Sequence, residues 1–217
     1  MIDRSAWPFI IGALVLTAGV WWWQGRLWAL PFLVLAAFFV FFFRDPERVI
    51  PSDPDLVVSP ADARIMIVGD PGPGAPPGQW QRISMFLSPM DVHVNRMPVA
   101  GRVTRVEYHP GKFLPAYRED AGTLNEWTEV WIDHHGMPIV VRQIVGILAR
   151  RIVCRAKVGD VVQRGDRFGI MKFGSRIDMF VPAGAKILSK VGDKVVGGVT
   201  PVAMLESQPG APKEIRK

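Results

Sequence analysis

Two uncharged apolar runs open the chain. Residues 7–23 carry no charge, Gln24-Gly25-Arg26 interrupts, and residues 27–43 are again uncharged. Each run is about 17 residues, the lower limit for a helix that spans a bilayer. The pattern predicts either a tight hairpin of two short spans or a helical anchor lying partly in the bilayer interface. Trp21-Trp22-Trp23 suits an interfacial aromatic belt. Arg4, Arg44 and Arg48 on the outer flanks outnumber Arg26 in the turn, which predicts that both ends of the anchor face the cytoplasm. A cleaved signal peptide is not expected, because the second apolar run follows with no small-residue cleavage site between.

Past Arg44-Asp45-Pro46-Glu47-Arg48, the stretch Pro51-Ser52-Asp53-Pro54-Asp55 reads as a stiff polar linker. The periodicity then changes. Short β-rich runs recur at 56–58, 64–68, 82–87, 101–108, 129–132, 139–147 and 152–156, punctuated by Gly, Pro and Asp, and no long amphipathic helix pattern competes. The expectation is a mainly β protein: an antiparallel β sandwich or barrel-like domain over residues 51–206, a hydrophobic helical anchor over 1–50, and a flexible tail over 207–217. The Gly- and Pro-rich stretch 72–78 is expected to be a loop or hairpin tip. Lys157-Val158-Gly159-Asp160-Val161-Val162 returns as Lys190-Val191-Gly192-Asp193-Lys194-Val195. Each copy predicts a turn between two short strands, and the pair predicts a pseudo-symmetric sandwich with paired hairpins facing each other.

Composition sharpens this picture in two places. Five of the eight Trp residues fall in the first 43 positions, and the formal net charge of the 217 residues is +6. A basic surface suits nucleic acid or an anionic membrane, and the apolar start favours the membrane over nucleic acid. The single cysteine, Cys154, excludes an internal disulfide and a cysteine-based zinc site.

The candidate chemistry centres on Lys172-Phe173-Gly174-Ser175-Arg176-Ile177-Asp178-Met179-Phe180. Here a Gly-Ser pair enters a strand of alternating apolar residues. Such a pair is usually a plain turn. A glycine can also hold angles closed to other residues, and strain there can aid attack by the neighbouring hydroxyl on the Gly174 carbonyl, cutting the chain between Gly174 and Ser175. A base and an orienting charge are then needed. Four histidines exist. His93 lies in a polar cluster in which Asp91, His93 and Asn95 would share one face of a strand, either as a hydrogen-bonded loop histidine or as a proton-transfer group. His109 precedes Pro110-Gly111 and reads as a turn residue, and His134-His135 reads as structural or surface. Asp62 follows an apolar strand at a Pro-Ala turn, as a turn cap or as the orienting charge.

Pro60-Ala61-Asp62, Ser88-Pro89-Met90-Asp91-Val92-His93, Tyr108-His109-Pro110-Gly111-Lys112-Phe113 and Phe173-Gly174-Ser175 stand in the order seen in phosphatidylserine decarboxylase proenzymes. The chain resembles the short bacterial and archaeal form of that family over about residues 45–206, and Gln143-Ile144-Val145-Gly146 is similar too. The resemblance implies self-cleavage at Gly174-Ser175 through an N-to-O acyl shift, followed by elimination and hydrolysis that convert Ser175 to a pyruvoyl group. It implies an α chain (175–217) paired with a β chain (1–174), as a heterodimer or higher oligomer, and no metal. The activity implied is decarboxylation of phosphatidylserine to phosphatidylethanolamine at the cytoplasmic face of the cell membrane, among anionic lipids, with the built-in ketone as the electron sink. Asp62 and Ser175 match the aspartate and serine of the family's Asp-His-Ser self-cleavage triad. His93 matches the first of two histidines that long-form members carry three apart, the one associated with decarboxylation. The second position is Arg96, whose planar fork suits a substrate carboxylate or phosphate. Two rivals remain in view. A biotinyl- or lipoyl-like carrier or membrane-fusion adaptor domain would use Lys172 at a hairpin tip. A membrane-anchored zinc peptidase would need a His-x-His pair, which the sequence lacks.

Overall fold

In the computed structural model, which describes residues 1–147, 152–172 and 174–206, the two apolar runs form helices α1 (Trp7–Gln24) and α2 (Arg26–Phe42). Pro8 falls in the first turn of α1, where its missing N–H deprives no helical hydrogen bond. The helices pack against each other as a hairpin. The base of the hairpin is closed by backbone: the Asp3 N–H donates to the Phe43 carbonyl at 2.9 Å, and the Asp45 N–H to the Met1 carbonyl at 2.7 Å. Residues 4–24 make the one described helix long and apolar enough to cross a membrane, and α2 is shorter at 17 residues. The hairpin's outer surface is apolar, with Ile11, Val15, Leu33, Val34 and the Trp21-Trp22-Trp23 belt exposed.

The linker lies on the domain instead of hanging free. Arg164 donates to the carbonyls of Pro51, Asp53 and Leu56, strapping residues 51–56 down. The anchor base is docked as firmly. Phe42 and Phe43 join Ala6, Ile10, Val92, Val94 and Ile170 in one buried cluster, while Asp3 pairs with Arg155 and Asp45 with Arg96 and Arg167.

The rest is antiparallel β structure. In chain order the strands are β1 (Leu56–Val58), β2 (Ala63–Gly69), β3 (Trp80–Leu87), β4 (Val94–Arg96), β5 (Gly101–His109), β6 (Trp127–His134), β7 (Met137–Ile144), β8 (Ile152–Cys154), β9 (Val161–Val162), β10 (Arg167–Met171), β11 (Ser175–Pro182), β12 (Lys186–Ile187), β13 (Lys194–Val195) and β14 (Pro201–Met204). A single-turn helix, α3 (Ala121–Leu124), precedes β6. Eight strands form one sheet in the order β13-β2-β3-β11-β7-β6-β5-β9, and two three-stranded sheets, β1-β14-β12 and β4-β10-β8, accompany it. Side chains from all three meet in one core, including Val57, Ile83, Met85, Val141, Met171, Ile177, Met179 and Ala203. The arrangement is sandwich-like and is not a closed barrel.

β11 lies mid-sheet, paired with β3 from Ser175↔Leu87 to Pro182↔Trp80 and with β7 from Arg176↔Ile144 to Phe180↔Val140. Its period-two pattern sends Ile177, Met179 and Val181 into the core and Arg176 and Asp178 to the opposite face, yet both faces are buried. On that second face Arg176 grips Asp178 through Nε at 2.6 Å and Nη2 at 2.9 Å, and Ser84 Oγ donates to the same carboxylate at 2.6 Å. The loop preceding β6 covers them, its Arg118 carbonyl accepting from Arg176 Nη1 at 3.2 Å.

The repeated Gly-Asp turns are built alike. In each, the aspartate side chain accepts from the backbone N–H three residues earlier, at 2.8 Å for Asp160 and 2.9 Å for Asp193, and the glycine has a φ of 95° or 93°. The two copies lead into β9 and β13, the outer strands at opposite ends of the eight-strand order. A third copy, Gln163-Arg164-Gly165-Asp166, repeats the bond at 2.7 Å with Gly165 at 87°. It escaped the sequence reading because only Gly and Asp are shared.

Candidate active site

Two strand pairings bring the Gly174-Ser175 bond and His93 to one end of the sandwich. Ser175, first residue of β11, lies opposite Leu87, last residue of β3. Beyond Leu87 the chain turns: the Ser88 N–H donates to Asp91 Oδ2 at 2.8 Å and the Asp91 N–H to the Ser88 carbonyl at 2.9 Å. His93 follows, and its carbonyl accepts from the N–H of Met171, last residue of β10, at 3.3 Å. The shared strand face expected for Asp91, His93 and Asn95 does not form, because the turn occupies Asp91 and β4 begins only at Val94.

His93 is fully buried. Its Nδ1 stands 2.9 Å from the Asp91 carbonyl, which can only accept, so Nδ1 carries the proton and Nε2 keeps its lone pair. Nε2 has no hydrogen-bond partner among the described residues. The ring lies against Phe42 at the foot of α2, with centroids 4.2 Å apart. Burial pushes the imidazole pKa down to about 4, the Asp91 carbonyl opposing and Arg44 adding slightly to the fall. His93 is therefore neutral at pH 7, with a free basic nitrogen.

The sign of that shift makes a prediction. Unfolded, the imidazole takes a proton below about pH 6.5; folded, it resists until about pH 4. Stability should fall as pH drops through that window, by roughly 3 kcal/mol from this residue, and level off below it. Melting temperatures of the wild type and of His93→Asn between pH 7 and pH 4 check this. The wild type should lose more, and equal losses would mean the imidazole is not held neutral.

Ser175 is also fully buried, and its Oγ has no partner among the described residues. Gly174 before it has a φ of 62°, the left-handed region that a side chain resists. Phe173 lies outside the described residues. Gln143 sits opposite Ile177, two residues along the same inward face from Ser175, and its Nε2 donates to Asn95 Oδ1 at 2.7 Å. The remaining amide atoms, Gln143 Oε1 and Asn95 Nδ2, are buried without partners among the described residues. An unpaired buried polar group costs about 1–3 kcal/mol, so a set of them near one strand end marks a place shaped for something besides stability.

The other expected residues are held elsewhere. Asp62 receives Arg48 Nη2 at 2.8 and 3.1 Å and the Gly197 N–H at 2.8 Å, and it makes no hydrogen bond to His93. Its negative charge is felt by Asp91, whose carboxyl is pushed up, by burial first and by Asp62 among the lesser causes. Arg96 is 5% exposed, with Nη2 on Asp45 Oδ1 at 2.7 Å and on the Pro46 carbonyl, and Nη1 on the Gly165 carbonyl. It clamps the anchor base to the domain, and its expected contact with a substrate carboxylate or phosphate has no geometric support. His109 stacks on Trp127 at 3.7 Å, and His134 Nδ1 donates to the Ala100 carbonyl at 2.6 Å. Among the described residues no cluster of three or more His, Cys, Asp or Glu is placed to hold a metal ion.

Sequence reasoning gave Phe42 no role and saw Arg48 only as a flanking charge, not as the partner of Asp62. Phe42 is one more aromatic in an apolar run, and nothing local marks it as the wall of a histidine site. The Gln143-Asn95 pair had a weak signal, polar residues inside or beside apolar runs, but its partnership crosses two sheets.

Comparison with known proteins bears directly on this arrangement. The family model described as phosphatidylserine decarboxylase matches residues 35–203. The proenzyme of that name from Symbiobacterium thermophilum is 45% identical over 94% of this chain and 96% of its own length. Those from Nitrosomonas europaea and Cupriavidus pinatubonensis are 41% and 40% identical, over 94% and 95% of this chain and 94% and 96% of theirs. Identity of this extent, running through the segments that bring Ser175 and His93 to one end of the sandwich, shows that the chain belongs to the phosphatidylserine decarboxylase family.

Proposed function

We propose that this chain is a membrane-bound proenzyme that cuts itself between Gly174 and Ser175 and then decarboxylates phosphatidylserine to phosphatidylethanolamine. The observation that carries the reading is the Ser175 hydroxyl, fully buried and partnerless, directly after a left-handed glycine at the mouth of a strand. In this reading Ser175 Oγ attacks the Gly174 carbonyl carbon, the peptide C–N bond breaks, and the Oγ proton passes to the freed nitrogen. Neutral His93, with Nε2 unoccupied, is the base available to relay that proton. Asp62, fixed by Arg48, contributes its charge to the loop carrying His93 through Asp91. Arg96 can reach a substrate only by releasing Asp45, so it enters as a clamp.

Elimination and hydrolysis at residue 175 complete the maturation. The resulting pyruvoyl group would supply a carbonyl able to condense with the substrate amine and to take up the electron pair left behind as carbon dioxide departs. The buried polar surroundings of Ser175 fit such a group. Cleavage leaves the new α chain (175–217) held by β11, which is hydrogen-bonded on both sides to strands of the β chain (1–174). The apolar hairpin and the net charge of +6 suit a cytoplasmic leaflet containing anionic lipid, where a substrate with two acyl chains must be met in place.

Intact mass under denaturing conditions, paired with carbon dioxide release from phosphatidylserine vesicles, tests the reading. Two chains meeting at 174/175, the smaller blocked at its N-terminus, together with release, are expected. One inactive chain of 24.1 kDa would overturn it. A biotin- or lipoyl-sized increment on Lys172 would favour the carrier reading. Its Nζ lies 4.8 Å from the Phe9 ring centroid, packed on the anchor and not presented at a hairpin tip.

A further inference from the structure

We propose that Gly146 is a positioning residue for self-cleavage, its bare Cα forming the seat that holds the Gly174 carbonyl for attack by Ser175. The inference rests on the self-cleavage reading above and adds a residue to it. A Cβ placed on Gly146 would meet the Gly174 carbonyl oxygen at 2.1 Å and its carbon at 3.2 Å, the tightest such approach of any described glycine. The atom it meets is backbone, so no side chain can swing aside.

Gly146 is also held from its N-terminal side. Beyond β7, the Val145 N–H donates to the Glu126 carbonyl at 3.1 Å, and Asn125 Nδ2 donates to the Val145 carbonyl at 2.9 Å. Asn125 is itself buried and locked to Leu114 through both its N–H and its carbonyl. On the remaining side a Gly146 Cβ would lie 3.3 Å from the Ala116 methyl. A methyl at 146 must therefore drive the carbonyl away by about 1 Å to reach ordinary contact distance. The carbonyl is half of the reacting pair. Its orientation sets the face that Ser175 Oγ meets, and a displacement of that size at a reacting centre can cost about 100-fold in rate.

The chemistry offers a readout that a general loss of stability would not move. The acyl shift forms the Gly174 C–Oγ175 bond and breaks the Gly174 C–N175 bond, giving an ester. Hydroxylamine attacks that ester carbonyl, leaves a hydroxamate on Gly174 and returns the Ser175 hydroxyl, so it cuts any chain in which the shift has occurred. Full-length precursor of the wild type, of Gly146→Ala and of Gly101→Ala would be followed by intact mass in the cold, with and without hydroxylamine, scoring the protease-resistant fraction. Gly101→Ala is the control, since its Cβ would meet the Asp133 carbonyl oxygen at 2.3 Å, a comparable clash away from the scissile bond.

Gly146→Ala is expected to cleave about 100-fold more slowly than the wild type and to resist hydroxylamine, while Gly101→Ala matures at close to the wild-type rate. Gly146→Ala maturing within a few-fold of wild type would overturn the proposal. So would prompt cutting of it by hydroxylamine, which would put the defect after ester formation, equal slowing in Gly101→Ala, or a Gly146→Ala chain with no folded fraction. A wild type that never cleaves, with or without hydroxylamine, would instead remove the self-cleavage reading itself.

Discussion

Replacing Ser175 by alanine should leave one chain of 24.1 kDa that releases no carbon dioxide from phosphatidylserine. The loss should be complete on the time scale of wild-type maturation. In the proposed sequence the hydroxyl is both the attacking atom and, once esterified to Gly174, the group expelled in the elimination that lets water convert residue 175 to a ketone, so no neighbour can replace it. The same change should make the uncut protein more stable. Ser175 Oγ is fully buried with no partner among the described residues, and removing an unsatisfied hydroxyl recovers about 1 kcal/mol or more. For a chain of this size that is roughly a 2–4 °C rise in melting temperature over uncut wild-type precursor. Mass spectrometry, a vesicle assay and a thermal melt check the three parts. Decarboxylation by Ser175→Ala would defeat the mechanism, and a lower melting temperature would mean that the hydroxyl is satisfied in the precursor.

Asp178→Ala should be the most damaging single change to stability. Asp178 is 1% exposed and accepts from Arg176 twice and from Ser84, with Arg82 Nη1 at 3.9 Å. Arg176 is itself fully buried. Alanine would strand its guanidinium inside the protein, and breaking one side of such a pair costs about 3–5 kcal/mol. A fall in melting temperature on the order of 10 °C follows. The double variant Arg176→Met, Asp178→Leu should recover part of the loss, because it removes the stranded Arg176 charge and leaves only Arg82, which keeps its bond to the Asp70 carbonyl. A double variant no more stable than Asp178→Ala would show that the site needs the pair for more than charge balance.

The sequence announced local features and concealed relationships. The runs at 56–58, 64–68 and 82–87 became β1, β2 and β3 within a residue or two at most ends, since period-two alternation is written along the chain. The Gly-Asp turns were equally plain, because the aspartate bonds its own neighbourhood. The partners of Asp62 and Arg96 were not legible: Arg48 and Asp45 come from the foot of the N-terminal hairpin, and nothing in a single line of residues says which buried cation meets which carboxylate. Pairing Asp91 with His93 on a strand failed for a related reason. Ser88 and Asp91 satisfy each other in a turn, and that local hydrogen bonding outcompetes extension of the strand. Gly146 stood in the sequence only as the end of Gln143-Ile144-Val145-Gly146, because the close approach of the Gly174 carbonyl to it is a tertiary contact.

Phe42 ends a helix of the apolar hairpin and also packs against His93, its ring tilted by 32° to the imidazole. The hairpin is therefore part of the solvent shield of the site. Cutting the β domain free to make it soluble would strip one wall from the imidazole and let water reach it, restoring its ordinary basicity. The smallest faithful unit of this protein for study includes the hairpin, and a detergent or lipid that loosens the aromatic foot of α2 reaches the chemistry without touching the β sandwich.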